Sequence, residues 1–259
     1  MSPEPIIKVR NLVAQYGNDV ILQDLSFDVA AGEILVIVGS SGSGKSTLLK
    51  HLIGLQRPHA GEITINGVNV TGDDPEASHR FFRDIGVLFQ GSALFGSMTL
   101  AENIALPIVE YGNLPKDAVR RLVSMKLCQF DLIDYQDHMP GEVSGGMKKR
   151  AGLARALALN PKILFLDEPT AGLDPVRSME IDELIRQINA MIGTTMVIVT
   201  HELDSIFNIA KRVIMIDKGK KGIIAEGNPL FLKKHSPDPL VKQFFRRRLT
   251  PESEDARPQ

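Results

Sequence analysis

The sequence has little cysteine, no excess of charge of either sign and no long apolar run. Its single cysteine, Cys128, excludes an internal disulfide framework and is typical of a reducing compartment. Its 30 basic and 31 acidic residues leave a formal charge of −1, which argues against a dedicated nucleic-acid-binding protein. The longest apolar runs, such as residues 34–38, are far shorter than the roughly 20 residues of a membrane-spanning helix. Residues 1–5 lack a basic region followed by an apolar stretch, so we expect no signal peptide.

What is present is the composition of an ordinary globular protein. Hydrophobic residues make up 43% and charged residues 24% of the 259 positions. A chain of this length can bury a full core as one large domain or two small ones. The sequence contains no internal repeat, heptad run or low-complexity tract.

The pattern of apolar residues predicts an α/β fold. Residues 34–38 are continuously apolar and mostly β-branched, which is typical of a strand buried on both faces of a parallel sheet. Two further apolar runs, at residues 163–166 and 196–199, each follow a helix-like stretch, as in alternating strands and helices. Asn66 and Gly67 predict a hairpin, because this pair supplies the two positive φ angles of a type I′ turn.

Between these strands the sequence has a helical pattern. Thr99 and Glu102 have the spacing of a capping box, and residues 116–130 carry apolar side chains at helical intervals. We therefore predict three parts: a core of residues 1–90 and 141–227, an inserted helical subdomain of residues 91–140, and a C-terminal helix and tail of residues 228–259.

Residues 39–46 match the pattern of a phosphate-binding loop between a strand and a helix. Its glycines allow backbone N–H groups to converge on a phosphate at a helix N-terminus, which already favours anions. Lys45 adds a positive charge for the β- and γ-phosphates, and the Ser46 hydroxyl can bind Mg²⁺. A chance match is the alternative, which the strand-to-helix context disfavours. The candidate residues of the loop are Gly39, Ser40, Gly42, Ser43, Gly44, Lys45, Ser46 and Thr47.

Two acidic residues follow the apolar run at residues 163–166. A carboxylate at the end of a buried strand commonly orders a magnesium ion, so Asp167 is a candidate Mg²⁺ ligand. Glu168, one residue further on, is a candidate for polarising an attacking water. Alone, this stretch could equally be an ordinary acidic turn.

A second glycine-rich turn precedes another predicted helix. Ser144, Gly145 and Gly146 stand at its N-terminus, which is a second potential anion site. Residues 147–150 continue with Met, two Lys and Arg. Taken alone, the stretch is better explained as a helix-capping loop followed by a solvated basic face.

Together these motifs resemble the ATPase subunit of ATP-binding-cassette transporters, in the family's order and spacing, over about residues 6–227. The resemblance implies an α/β P-loop NTPase with an N-terminal antiparallel β subdomain and an inserted helical subdomain. It implies ATP hydrolysis with Mg²⁺. The motifs that carry it are Gly39 to Thr47, Gln90, Ser144 to Gly146, Asp167, Glu168, Ala171 to Asp174 and His201.

The resemblance also implies roles for single residues. Gln90 would contact Mg²⁺ and the attacking water, while Ser46 and Asp167 complete the metal ligands. His201 would contact the γ-phosphate and hold the geometry of hydrolysis around Glu168, although a histidine satisfied at a strand end is the simpler alternative. Tyr16 stands where the family stacks an aromatic ring on adenine, but it could instead belong to the core.

In this family two ATPase subunits pair head to tail. The resemblance therefore implies a second copy of this chain, whose ATP would be contacted by Ser144, Gly145 and Gly146, with Asp174 linking the two sites. It also implies a separate integral-membrane permease, which contacts the helical subdomain beyond Gln90. We expect the chain at the cytoplasmic face of the inner membrane, as a peripheral protein without nucleic-acid partners.

A finer resemblance points to phospholipid transport. Met147 replaces the glutamine that usually ends the family's signature, and a basic run follows it. This pattern, together with residues 89–95 and 241–244, looks most like the ATPases of mammalian-cell-entry-type systems, including the complex that maintains outer-membrane lipid asymmetry. A mammalian-cell-entry-domain lipid-binding protein and a small regulatory subunit are then expected partners. The alternatives are an ATPase of another importer or exporter and, less favoured, a soluble cassette ATPase outside transport.

The C-terminal residues predict one more helix. Pro237 and Pro239 are typical of a helix start, and several apolar side chains then fall on one stripe beside a run of arginines. An exposed stripe would need a partner, so our hypothesis is that this helix packs on a partner subunit such as the other ATPase, and packing on its own domain is the alternative. The stripe comprises Leu240, Val241, Phe244, Phe245 and Leu249, with Arg246, Arg247 and Arg248 alongside, and residues 251–259 are expected to fray.

Overall fold

The fold consists of two β-sheets with helices packed around them, in a computed structural model that describes residues 4–72 and 74–246. The strands are β1 Ile7–Tyr16, β2 Asp19–Val29, β3 Ile34–Val38, β4 Ala60–Ile65, β5 Val68–Asn69, β6 Ile85–Leu88, β7 Ile163–Asp167, β8 Thr195–Val199, β9 Arg212–Asp217 and β10 Gly222–Gly227. The helices are α1 Lys45–Leu52, α2 Pro75–Asp84, α3 Leu100–Tyr111, α4 Lys116–Gln129, α5 Gly145–Ala156, α6 Pro175–Ile192, α7 Leu203–Ile209, α8 Pro229–His235 and α9 Pro239–Arg246, with 3-10 turns at Ile133–Tyr135 and Pro140–Glu142.

The larger sheet has the strand order β10-β9-β3-β8-β7-β6. Its strands are parallel except for β10, which runs antiparallel to β9. Every residue of β3 is buried, as the continuous apolar run predicts. Alternate side chains of β3 enter different cores, with Ile34, Val36 and Val38 on one face and Leu35 and Ile37 on the other. The parallel arrangement brings the C-terminal ends of β3, β7 and β8 to one edge of the sheet.

The smaller sheet is antiparallel, with the strand order β2-β1-β4-β5. The predicted hairpin connects β4 to β5, where Asn66 and Gly67 have φ angles of 48° and 77°. Apolar residues of this sheet, including Val9, Leu25 and Ile63, share a core with one face of the larger sheet. The smaller sheet thus covers the side of β3 that faces α1.

Helices α3 and α4 lie between β6 and α5 in the chain and pack on one another and on α5. The capping box at the start of α3 is present, because Glu102 N–H donates to Thr99 Oγ1 and Thr99 N–H donates to the Glu102 carboxylate. Ile104 and Leu127 belong to the same apolar core as Leu166 of β7. The boundaries of the predicted helical subdomain, residues 91–140, stay a prediction.

The C-terminal helix α9 docks on its own chain. Val241 and Phe245 are 0% and 1% exposed, and the ring of Phe245 lies 5.9 Å from that of Phe207 on α7. These side chains are therefore not available to the other subunit that the sequence left as an alternative. Of the other predicted stripe residues, Leu240 is exposed and Phe244 is partly buried against the same core. Residues 247–249 and the tail at 251–259 lie outside the described residues.

Candidate nucleotide-hydrolysis site

The phosphate loop connects β3 to α1. Gly39 has a φ of +154°, and a Cβ atom there would collide with the carbonyl oxygen of Ile216 and lie 2.6 Å from Ser43 Oγ. Gly44, with a φ of +100°, is the N-cap of α1, and a Cβ atom would lie 2.6 Å from the Leu22 side chain. Only glycine fits at both positions, which leaves the backbone of the loop free to wrap around a phosphate.

Lys45 is the first residue of α1, and its side chain is held inside the loop. Its Nζ donates hydrogen bonds of 2.9 Å to the carbonyl oxygens of Gly39 and Ser40. Burial lowers the pKa of Lys45, and the charges of Glu168 and Asp167 partly offset this effect. The charges at the end of β7 therefore act on this ammonium group.

Those acidic residues differ in their surroundings. Burial and the neighbouring Glu168 raise the pKa of Asp167, the last residue of β7. Glu168 is 8% exposed and has a φ of +46°, and its N–H donates to Val199 O of the adjacent strand at 2.8 Å. The backbone at Glu168 is thus turned out of the strand and fixed against β8.

His201 follows β8 and reaches the same place. Its Nδ1–H donates to Glu168 Oε1 at 2.6 Å, while most of the ring is exposed. The contact arises because β7 and β8 are neighbours in the sheet, with Asp167 paired to Val199. This hydrogen bond is compatible with the predicted role in hydrolysis and equally with a histidine satisfied at its strand end.

Three buried oxygens of this region have no hydrogen-bond partner in the part of the chain that the structure describes: Ser43 Oγ, Asp167 Oδ1 and Glu168 Oε2. Buried polar atoms normally have partners, so these atoms fit a site that binds phosphate and a cation. Within residues 4–72 and 74–246 there is no cluster of three or more His, Cys, Asp or Glu that could hold a metal by itself.

Gln90 follows β6. Its backbone is connected to the site by Lys149, which the sequence analysis did not single out. Lys149 Nζ donates to Gln90 O at 2.6 Å and to Glu168 O at 2.9 Å. The predicted solvated basic face is therefore wrong for Lys149, which is 5% exposed. The sequence could have indicated this burial, because Lys149 lies one helical turn after the glycines and on the same side of α5.

Tyr16 ends β1 and is not a core residue, because 45% of it is exposed. Its hydroxyl donates to Gln56 Oε1 at 2.6 Å, which fixes the ring after the C-terminal end of α1. Backbone hydrogen bonds from Leu55 and Gln56 to Lys50 connect this segment to α1. The ring is thus accessible to a ligand, and its hydroxyl is anchored beyond the C-terminal end of α1, whereas the phosphate loop precedes the N-terminal end of that helix.

The second glycine-rich turn caps α5. Ser144 is the N-cap, and its Oγ accepts from Met147 N–H at 3.3 Å. A Cβ atom at Gly146 would lie 3.2 Å from Arg177, so this turn packs on the start of α6. Asp174 caps α6 by accepting from Arg177 N–H at 3.0 Å. The structure groups these residues with one another, while Glu168, His201 and Lys45 form the other group.

This geometry defines a class of protein, and the comparisons agree. A family model described as "ABC transporter" matches residues 22–171. The chain belongs to the ABC transporter family and is its ATP-hydrolysing cassette, which binds ATP with Mg²⁺. The predicted fold class, ATPase activity and cofactors are confirmed. Cassettes of this family dimerise and pair with membrane permeases, so the chain is a subunit of a membrane transport system.

The relatives carry different substrate names. The "probable ribonucleotide transport ATP-binding protein mkl" of Mycobacterium leprae is 41% identical over 95% of this chain and 70% of its own length. The "methionine import ATP-binding protein MetN" of Brucella abortus is 40% identical over 96% of this chain and 66% of its own length. The chain therefore spans about two thirds of the length of these relatives.

Solved structures show the same fold. The dimeric cassette MJ0796 in a post-hydrolysis state bound to ADP and Pi is 30% identical, with a TM-score of 0.78 over 86% of this chain and 98% of that one. The cbiO1 subunit of Clostridium perfringens, part of the cbiONQ transporter complex, is also 30% identical, with a TM-score of 0.79 over 89% of this chain and 92% of that one. In the part of the chain that the structure describes, no helix is long and apolar enough to cross a membrane.

Proposed function

We propose that this cassette powers a phospholipid-transport permease, with Glu168 as the general base of ATP hydrolysis. The observation that carries the assignment of Glu168 is the difference between its two carboxylate oxygens. Oε1 accepts a hydrogen bond from His201, whereas Oε2 is buried without a partner. The histidine fixes the carboxylate, and the free oxygen can accept a proton from an attacking water.

The metal is held by Ser46, Asp167 and Gln90 in this proposal. Asp167 Oδ1 is a buried acceptor without a protein donor, and a cation would stabilise its ionised form. Mg²⁺ supplies charge neutralisation at the β- and γ-phosphates when it is bound. On ATP binding, the Lys45 ammonium group exchanges its hydrogen bonds to the carbonyls of Gly39 and Ser40 for contacts with the phosphates. The negative charge of the phosphates offsets the free energy of desolvating this ammonium group.

The remaining loop residues, Ser40, Gly42, Ser43 and Thr47, bind the phosphates through backbone N–H and hydroxyl groups, and the ring of Tyr16 stacks on adenine. A second copy of the chain completes each site. Its Ser144, Gly145 and Gly146 contact the γ-phosphate across the interface, and Asp174 lies between the two sites. Gly146 and Asp174 both lie against Arg177, which supports placing them on one interface surface.

The permease binds a groove of about 580 Å³ beside the segment that follows Gln90. The groove is lined by side chains of α2, β6 and α3, and the exposed rings of Phe82 and Phe95 stand at it. Exposed aromatic rings of this kind favour a partner surface. Its other apolar lining includes Val87, Phe89, Pro107 and Tyr111.

The cargo assignment rests on the signature. Met147 after Gly146, the basic run that follows, and residues 89–95 look like the mammalian-cell-entry type of system. The proposal therefore includes a mammalian-cell-entry-domain lipid-binding protein, a small regulatory subunit, and a place for the chain at the cytoplasmic face of the inner membrane. The names of the relatives favour a second candidate, an importer of a small polar solute.

The test is co-purification of the tagged full chain from detergent-solubilised membranes, followed by mass spectrometry of bound proteins and lipids. A permease, a mammalian-cell-entry-domain protein and phospholipid together are the expected result. A permease with a soluble solute-binding protein and no enriched phospholipid would overturn the cargo assignment and leave the ATPase in place.

A further inference from the structure

Lys149 is a buried lysine whose ammonium group contacts no side-chain carboxylate within residues 4–72 and 74–246. Its Nζ donates to two backbone carbonyls, Gln90 O at 2.6 Å and Glu168 O at 2.9 Å. These acceptors lie 59 and 19 residues away in the sequence, after β6 and after β7 respectively. One ammonium group therefore joins α5 to both segments that carry the proposed hydrolytic side chains.

The backbone at Glu168 needs such support. A residue other than glycine rarely adopts a φ of +46°, and it keeps this conformation only where its surroundings hold it. At Glu168 the N–H is held by Val199 O at 2.8 Å, and the carbonyl accepts from Lys149 and, at 3.2 Å, from Ala171 N–H. The direction of the Glu168 side chain depends on this conformation.

The position of Lys149 on α5 gives these hydrogen bonds a further consequence. Lys149 follows Gly146 by three residues, so both lie on one side of the helix, and both are buried. The turn at the start of α5 is where the partner's ATP binds in the proposed function. A displacement of that turn moves Lys149 with it, since less than one helical turn separates them.

Burying an ammonium group costs desolvation free energy, which argues that Lys149 does more than fill space in the core. Burial lowers the pKa of Lys149, and the nearby charges of Glu168 and Asp167 oppose this shift. An apolar side chain of similar length would avoid the desolvation, but it would leave Gln90 O and Glu168 O without this donor.

We propose that Lys149 is a positioning residue, which holds the backbone of Gln90 and Glu168 at a fixed distance from the start of α5. Binding of the partner's ATP at that turn then sets the position of this chain's own hydrolytic groups. This inference rests on the proposed function of Glu168 and of the turn at residues 144–146.

The experiment compares three variants of the full chain in its purified complex. Lys149→Met removes the ammonium group, and Lys149→Arg keeps a positive donor. Lys126→Met is the matched control, because Lys126 is also a buried lysine, donating to Asn160 Oδ1 at 2.7 Å away from the site. ATP turnover, the equilibrium Kd for ATP and the thermal midpoint are measured for each.

We expect Lys149→Met to lower kcat by about 100-fold, the effect of misplacing a catalytic group by about 1 Å, with a Kd for ATP within about threefold of wild type. Lys149→Arg should recover a substantial part of the turnover. Lys126→Met should keep kcat within about twofold of wild type, even if its thermal midpoint changes. Hydrogen exchange in Lys149→Met should rise at residues 89–92 and 168–171 and not at residues 45–49.

A folded Lys149→Met variant with wild-type kcat, or with kcat and ATP affinity reduced in proportion, would overturn the positioning role. So would a folded arginine variant as slow as the methionine variant. If the methionine variant does not fold, Lys149→Gln replaces it, and wild-type turnover there is equally decisive. Absence of ATPase activity in the wild-type complex would instead count against the proposed function.

Discussion

Glu168 and Asp167 are adjacent in the sequence but have different chemistry, because one peptide bond separates the end of β7 from a turn. Asp167 still belongs to the strand, and burial raises its pKa. Glu168 takes a left-handed backbone conformation that directs its carboxylate to His201 at 2.6 Å. Single residues in this site are therefore specialised by backbone conformation as much as by residue type.

Replacing Glu168 tests the proposed general base. We expect Glu168→Gln to bind ATP and to lose turnover by about 10²- to 10⁴-fold, since the amide cannot accept the proton of the attacking water. Single-turnover hydrolysis and equilibrium ATP binding measure the two effects. Glu62→Gln, at an exposed carboxylate of β4, is the control. Turnover near the wild-type value in Glu168→Gln would remove Glu168 from this role.

Asp182 is a buried carboxyl outside the site. It is 3% exposed, and its Oδ1 has no hydrogen-bond partner among the described residues. Burial raises its pKa, although hydrogen bonds from Ser205 and Asn208 oppose this shift. A carboxyl with a raised folded-state pKa binds protons more readily in the folded state than in the unfolded state. Its contribution to stability is therefore present at low pH and is lost as the pH rises from about 3.8 through the folded-state pKa.

Asp182→Asn should remove this dependence. We expect the free energy of unfolding of the wild type, relative to the variant, to decrease as the pH rises through that window. Urea unfolding at several pH values measures the difference, and Glu183→Gln, on the exposed side of α6, controls for the loss of one charge. Parallel curves for the wild type and Asp182→Asn would contradict the expectation.

At the scale of elements, the segment between Gln90 and α3 is held by side chains of two helices. Asn103 of α3 is fully buried, accepts from Phe95 N–H, and donates to the carbonyls of Phe95, Met98 and Thr99. Arg155 of α5 donates to the carbonyls of Ser92 and Ala93. The segment therefore keeps one shape without regular secondary structure, and it presents Phe95 at the proposed permease groove.

Asn103→Ala should destabilise the protein more than loss of the helix cap. We expect its free energy of unfolding to fall by about 2–3 kcal/mol, because buried polar groups are left without partners. Thr99→Ala, which removes the N-cap of α3, should cost about 1 kcal/mol. Chemical denaturation of both variants makes the comparison. An Asn103→Ala loss no larger than that of Thr99→Ala would show that the segment is held by other contacts.

The sequence predicted some elements well and missed others for physical reasons. β3, β7 and β8 are continuous apolar runs, because both of their faces are buried. The strand pair β9 and β10 was not predicted, although residues 213–216 of β9 form a buried apolar run like those of β7 and β8. β10 is only partly buried at its apolar positions, and it pairs with β9 at the edge of the sheet, so no strong periodicity marks it. α2 was missed as well, since only Phe81 of its residues is buried.

At the scale of the whole molecule, the larger sheet separates two apolar cores. One core contains α1 and the smaller sheet, and the other contains α3, α4, α5 and α6. Helix α9 joins the second core through Val241 and Phe245. The C-terminal helix thus contributes to the folding of its own chain.

Phe245→Ala tests this contribution. We expect a loss of about 3–5 kcal/mol, the cost of removing a fully buried aromatic side chain. Phe231→Ala on α8, where the ring is 61% exposed, should change stability by less than about 0.5 kcal/mol. Thermal and urea unfolding of the chain without its partners are the measurements. Equal stability of Phe245→Ala and wild type would mean that α9 is held by another subunit.

The sequence by itself determined the features that act over a few residues: the glycines of the phosphate loop, the caps of α3 and α5, the apolar strands and the order of the motifs. These depend on local backbone conformation and side-chain type, which neighbouring residues specify. Only the tertiary structure decided which of these features meet. It paired His201 with Glu168, buried Lys149 between Gln90 and Glu168, and placed α9 on its own core. Such contacts join residues far apart in the chain, and they depend on strand order and burial, which no local pattern encodes.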